Sequence, residues 1–119
     1  VRPQQLRSLR FARAVILKPT LLGGMRRTVQ WARAAQKLQM TPVLSSSFES
    51  GVGTRAIIAL AAVLGNRDVP AGLDPYERFD ADVLDPRLDL RGPAVDVRDL
   101  FATDRTVDLD RLDPVSPSA

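Results

Sequence analysis

The chain has 119 residues, 45% of them apolar and 26% charged, which suits one domain built around one hydrophobic core. It has no cysteine and no histidine, so disulfides, zinc-type centres, a Ser-His-Asp triad and a Cys-His pair are excluded, and any metal would need oxygen ligands. The net charge of +3 hides an asymmetry: residues 1–40 carry nine Lys/Arg and no acid, while residues 41–119 carry eight Lys/Arg against fourteen Asp/Glu. The basic residues are dispersed as on the wet faces of helices and few aromatics lie between them, so nucleic acid is not an expected partner. The two halves are expected to neutralise each other or to face acidic segments outside this chain. No apolar run approaches the roughly 20 residues of a membrane span, so no membrane is expected either. Without a basic-then-apolar leader the cytoplasm is the expected location. The chain starts at Val1, inside what reads as an element, and this suggests a piece of a longer protein.

Pro3 in a first turn, with Leu6 and Leu9 on one face, predicts a short helix over 3–13. The run Ala14-Val15-Ile16-Leu17-Lys18 reads as a strand buried on both faces, ended by Pro19. Lys18 therefore stands at a strand's C-terminal tip, where catalytic groups of parallel sheets gather. It is one of only two lysines beside fifteen arginines, and lysine, unlike arginine, can exchange protons when its surroundings shift its pKa. The other reading is a lysine that caps a barrel rim and snorkels into water.

After a loop, Gly23-Gly24 opens a helix of about 15 residues with Met25, Val29, Ala32 and Ala35 on its core side. Thr41 to Ser46 reads as the next strand, residues 47–53 as a polar turn, and Thr54–Leu64 as a helix stopped at Gly65-Asn66. A brief strand at Ala71-Gly72-Leu73 runs into Asp74-Pro75, and a short helix or turn follows near Tyr76–Phe79. Strands alternating with helices in this way predict an α/β fold with a parallel sheet. Beyond Asp85, Leu88-Asp89-Leu90 and Ala94–Val97 alternate like a half-exposed hairpin around Arg91-Gly92-Pro93, and the last residues, from Asp113, have too little apolar surface to order themselves.

Lys18, then Ser45-Ser46-Ser47 with Glu49, then Gly72 with Asp74 close successive strands, so a parallel sheet brings all of them to one rim. The helix start at Gly51-x-Gly53 offers backbone N–H groups to a carboxylate or phosphate. Equally, Ser47 or Ser50 caps that helix and the glycines only shape the turn. Glu49 reads as a cation ligand or a solvated turn residue, and Asp74 as a helix cap.

Val15-Ile16-Leu17-Lys18-Pro19-Thr20-Leu21-Leu22-Gly23-Gly24, Pro42 through Gly53, and Ala71-Gly72-Leu73-Asp74 together resemble the C-terminal barrel segment of the o-succinylbenzoate synthases of the enolase superfamily, over roughly residues 12–90. The resemblance implies a partial (β/α) TIM-type barrel of about three βα units in residues 1–90. Residues 91–119 would be a peripheral tail returning to a capping domain. It implies a Mg²⁺-dependent dehydratase of menaquinone biosynthesis that converts 2-succinyl-6-hydroxy-2,4-cyclohexadiene-1-carboxylate to 2-succinylbenzoate. Lys18 matches the lysine that stabilises the enediolate, and Ser46, Ser47 and Gly72 match positions that hold a substrate carboxylate. The family's Lys-x-Lys and its three metal carboxylates have no counterpart in this sequence, so the isolated chain is expected to bind no Mg²⁺ tightly and to be inactive. N-succinylamino acid racemases of the same superfamily share this site. An inactive assembly piece, and a homo-oligomer, are the other expectations that the sequence leaves open.

Overall fold

The computed structural model describes residues 2–9, 11–64 and 68–113. The expected helix stop at Gly65-Asn66 and the run beyond Asp113 lie outside them. Pro3–Leu9 is a 3-10 helix that buries Leu6, shorter than the helix expected over 3–13. Strand β1, Ala14–Leu17, ends where Lys18 turns extended (φ −106°, ψ 104°) into Pro19. Pro19 then starts a one-turn helix, α1, Pro19–Leu22, where a loop was expected; its fixed φ suits a first helical position and its missing N–H costs nothing there. Gly23 (φ 86°) and Gly24 (φ 103°) redirect the chain through the left-handed region that only glycine enters freely. Helix α2, Met25–Lys37, buries Thr28, Trp31, Ala32 and Ala35. The buried stripe is thus centred nearer Trp31 than the spacing of Met25 and Val29 suggested. Those two are half-buried beneath a second cluster formed by Leu44, Ile57 and Leu60.

Strand β2, Thr41–Leu44, lies parallel to β1 with Ala14 opposite Thr41 and Leu17 opposite Leu44. Helix α3, Gly51–Leu64, follows it, and the chain returns so that Gly72 bridges Ser45 in parallel. The third strand expected at 71–73 is reduced to that single bridge, because Leu73 is already helical in backbone (φ −114°, ψ 0°) and leads into a 3-10 turn over Asp74–Arg78. Two βα crossovers therefore line up β1, β2 and Gly72 side by side in an α/β arrangement. Opposed residues of neighbouring strands face the same way. Leu17 and Leu44 point into the helix layer, where Leu17 packs with Trp31, Ala32, Ala35 and Met40. Ala14 and Ile16 point to the other side, where Ile16 is 67% exposed.

The hairpin expected across 88–97 is not formed. Gly92 breaks the alternation with φ 123°, and Asp96 instead caps helix α4, Val97–Ala102, by accepting a hydrogen bond from Arg98 N at 2.8 Å. The antiparallel pair in this region is β3, Leu84–Asp85, with β4, Thr106–Val107. Leu88 and Leu100 are buried with Ile58, Tyr76 and Leu84, so the segment after the Gly72 bridge packs onto α3. No helix among the described residues is long and apolar enough to cross a membrane.

Candidate functional site

The end of β1 and the end of β2 meet through Lys18. Its Nζ donates to Ser45 Oγ at 3.2 Å and to the Ser46 carbonyl at 2.5 Å. An ammonium has three donors, so one remains for a ligand. The β1–β2 ladder carries on through Ser45 N to Leu17 O at 3.0 Å, and on the other side of β2 Gly72 N reaches Leu44 O at 2.9 Å. Continuing the register opposite Leu17 and Leu44 places Lys18 beside Ser45, and Ser45 bridges Gly72. These three residues therefore share the sheet face of Ala14 and Ile16, which no helix covers among the described residues. Gly72 is held close: a Cβ there would lie 3.0 Å from Ser45 Oγ.

Ser46 faces the other way. It is 1% exposed, its hydroxyl donates to Gly72 O at 3.2 Å and its amide donates to the same carbonyl at 2.8 Å. What Ser46 offers the rim is its carbonyl, which holds Lys18, and not its hydroxyl. Ser47 follows with its amide donating to Glu49 Oε2 at 2.6 Å, and its hydroxyl is enclosed without a hydrogen-bond partner among the described residues. Glu49 Oε1 accepts from the Thr20 hydroxyl, which comes from α1. The hydroxyl that touches the lysine is that of Ser45, which the sequence brought to the rim but did not count among the carboxylate-holding positions. Its signal was there in the count: Ser45 is the first residue past the last expected core position of β2, as Lys18 is for β1.

The N-terminus of α3, read from the sequence either as offering N–H groups to an anion or as capped by Ser47 or Ser50, holds a carboxylate of the chain itself. Gly51 N donates to both Oδ1 and Oδ2 of Asp82 at 2.9 Å, Val83 N adds a bond at 2.8 Å, and the Tyr76 hydroxyl donates to Oδ2 at 2.6 Å. Burial holds the Tyr76 phenol above its ordinary pKa, and its hydrogen bond to Asp82 acts in the same direction. Arg87 stacks on the Tyr76 ring at 5.0 Å and donates to the Tyr76 carbonyl at 3.1 Å. Asp74 caps nothing by its side chain: the turn it opens has Leu73 at the cap position.

Among the described residues no group of three or more acidic side chains converges as a metal would require, so Glu49 and Asp74 do not make a Mg²⁺ site. A concavity of about 760 Å³ lies between the C-terminal half of α3 and residues 90–98, walled by Leu44, Ile58, Ala61 and Val95. Among the described residues its wall includes neither Lys18 nor any serine, and Lys18 itself is half-buried. A lysine ammonium set at a strand tip among hydroxyl and backbone groups is suited to hold a carboxylate and to stabilise negative charge growing on its oxygens.

No protein-family model matches the sequence. It is similar to the o-succinylbenzoate synthase of Shigella boydii serotype 18, with 39% identity over 69 residues, 58% of this chain and 21% of that protein. Against the o-succinylbenzoate synthase of Klebsiella pneumoniae strain 342 the identity is 34% over 85 residues, 71% of this chain and 26% of that protein. Against that of Yersinia pseudotuberculosis serotype O:1b it is 36% over 87 residues, 73% of this chain and 27% of that protein. The chain thus spans about a fifth to a quarter of the length of the curated relatives it matches.

Proposed function

We propose that this chain is a C-terminal barrel portion of an o-succinylbenzoate synthase, and that Lys18 is its catalytic cation. The observation that carries the reading is the joint placement of Lys18, Ser45 and Gly72 on one uncovered sheet face at the strand tips. Its support from outside the chain is the 34–39% identity to proteins of that name. In this reading residues 1–90 supply about three consecutive βα units of a (β/α) barrel, with β1, β2 and the Gly72 segment as neighbouring staves. Residues 91–119 run back toward a capping domain. The reaction is the loss of water from 2-succinyl-6-hydroxy-2,4-cyclohexadiene-1-carboxylate to give 2-succinylbenzoate.

What this chain's own residues contribute is charge and placement. Removing the proton beside the substrate carboxylate builds negative charge on the carboxylate oxygens. The Lys18 ammonium, anchored by Ser45 Oγ and Ser46 O, meets that charge with its remaining donor and needs no reorganisation to do so. The Gly72 amide and carbonyl are both taken by the sheet, so in this reading Gly72 contributes its missing side chain, and it and the Ser45–Ser47 turn are the positions assigned to the substrate's second carboxylate. Mg²⁺ belongs to the family chemistry, but the carboxylates present here do not fit it, and its ligands are expected from the part of the barrel outside this chain.

The test is made on the complete open reading frame that contains this chain. Lys18→Ala is expected to lower kcat by about 10²- to 10³-fold while 2-succinylbenzoate still binds. Lys18→Arg keeps a charge but has no compact ammonium to fit between Ser45 and Ser46, so it should not restore turnover. Near-normal turnover with a lowered melting temperature in Lys18→Ala would show a rim-capping lysine and end the assignment.

A further inference from the structure

The backbone ladder between β1 and β2 stops at the Ser45 amide, and among the described residues no backbone hydrogen bond joins α1 to residues 46–50. Past that point the spacing of the two segments is set by side chains. One tie is Lys18 itself. The other is Glu49, whose carboxylate takes the Thr20 hydroxyl on one oxygen and the Ser47 amide on the other. Thr20 is two residues beyond Lys18 and Ser47 two residues beyond Ser45, so this second tie runs alongside the first, one step further from the sheet.

Glu49 is itself held. Its carbonyl accepts from the Thr54 hydroxyl at 3.3 Å, and Thr54 is fully buried in the first turn of α3. Its stem lies against that turn so closely that a Cβ on residue 53 would come within 2.8 Å of Glu49 Cβ and 3.1 Å of Cγ. Gly53 is therefore what lets the side chain lie where it reaches Thr20. A solvated turn glutamate loses rotamer freedom for no return in such a position. Here one oxygen is engaged from α1, by Thr20, and the other from Glu49's own turn, by Ser47.

We infer that Glu49 is a positioning residue: by holding Thr20 and the Ser47 amide together it fixes the Lys18 ammonium against the Ser45-Ser46 turn. That the clamped rim receives a substrate carboxylate rests on the function proposed above; the clamp itself does not. Glu49 does not touch the reacting atoms in this arrangement, and its carboxylate oxygens are occupied by the donors they accept from.

The clamp can be read in the 119-residue chain without any ligand. Lys18 and Lys37 are its only lysines, and Lys37 is exposed, so a Lys37→Arg background leaves one lysine ammonium resonance to follow in a ¹⁵N-labelled sample. In the unaltered clamp that ammonium is expected to exchange slowly with water. Glu49→Ala should speed its exchange by about tenfold or more and move the Ser47 amide resonance upfield. Thr20→Val, which keeps the shape of the side chain and removes only its hydroxyl, should speed the Lys18 exchange while leaving the Ser47 amide bonded. Glu49→Gln keeps the stem and an acceptor and should recover most of the protection. Trp31 fluorescence reports whether each variant is folded, because Trp31 is the only tryptophan and is buried against α2's partners. Unchanged Lys18 exchange in folded Glu49→Ala and Thr20→Val would overturn the proposal. Should Glu49→Ala fail to fold, Thr20→Val alone decides it. Because no substrate enters the measurement, its failure is distinct from failure of the turnover assay.

Discussion

Asp82 and Tyr76 show how much a single pair of side chains can organise. Asp82 draws together Gly51 at the start of α3, its own neighbour Val83, and Tyr76, while the Tyr76 oxygen also accepts from Leu88 N at 3.1 Å. Tyr76→Phe leaves Asp82 Oδ2 and Leu88 N each short of a partner, so it should cost about 1–3 kcal/mol at neutral pH, measured by urea unfolding with Trp31 as reporter. The phenol also carries a pH signature. Its pKa is raised in the folded chain, so the fold favours the protonated form; that stabilisation is complete below the ordinary tyrosine value of about 10 and is lost as pH climbs through the folded value. Because Tyr76 is the only tyrosine, the tyrosinate absorbance of the native protein should appear only above that ordinary value, and Tyr76→Phe should remove this component of alkaline unfolding. A tyrosinate midpoint at or below the ordinary value would contradict the buried hydrogen bond. Asp89 is the contrast. Arg91 beside it holds its carboxyl down to about 2, so its contribution is present above the unfolded value and fades as pH falls through about 2. Both partners are largely exposed (80% and 62%), and water and salt screen such a pair, so Asp89→Asn should leave the melting temperature at neutral pH unchanged.

At the scale of elements, what was legible from sequence follows the reach of the forces that decide it. The strand ending at Lys18 was legible because Pro19 stops a ladder by its own chemistry, and α2 because its wet arginines recur at helical spacing. Which of three consecutive serines faces the lysine was not. A strand buried on both faces shows no alternation, and the phase of its side chains is fixed only by pairing register. Here that register pairs Lys18 with Ser45. The start of α3 was placed at Thr54, yet the helix begins at Gly51, because its first N–H is satisfied by a carboxylate 31 residues further on. The hairpin expected across 88–97 failed for a related reason: local alternation of Leu88, Leu90, Val95 and Val97 reflects burial against Ile58 and Tyr76, not pairing with each other. Gly51 gives a test at this scale. Alanine is the better helix former by about 1 kcal/mol, but a Cβ at residue 51 would stand 2.1 Å from Asp82 Oδ2 and 3.0 Å from Leu84 Cβ. Gly51→Ala should therefore destabilise by about 1–3 kcal/mol net. A stabilised Gly51→Ala would mean that Asp82 does not sit on this helix end.

Taken whole, the chain is a slab of 46 × 43 × 21 Å with a radius of gyration of 16.0 Å, against about 13.5 Å for a compact domain of this length. Its accessible surface of 8846 Å² exceeds the roughly 6,300 Å² of a typical folded monomer of this mass. The flatness has a cause in the sheet: helices cover one face, and among the described residues none covers the face of Ile16 and Lys18. Ile16 stands 67% exposed on that face and Leu21 of α1 74% exposed, and the outer edge of β1 has no strand beside it among the described residues. Such a surface is expected to associate. Sedimentation velocity over a concentration series should show reversible growth in size, and thermal unfolding should be broad. A monomer at high concentration with one sharp transition would contradict this picture.

The bond between Gly51 and Asp82 also has a direction in time. A chain leaves the ribosome from its N-terminus, so β1, α2 and β2 can dock as soon as Ser45 has emerged, whereas the first turn of α3 waits for a residue made 31 positions after Gly51. Until then the Gly51 N–H has no Asp82 carboxylate to accept it, and the helix start is held only from its own side, by Thr54 on Ser50 O and Glu49 O. Nascent chains stalled with Asp82 still inside the tunnel should therefore have the Trp31 cluster formed and the first turn of α3 frayed. Release of a few more residues past Val83 should close it.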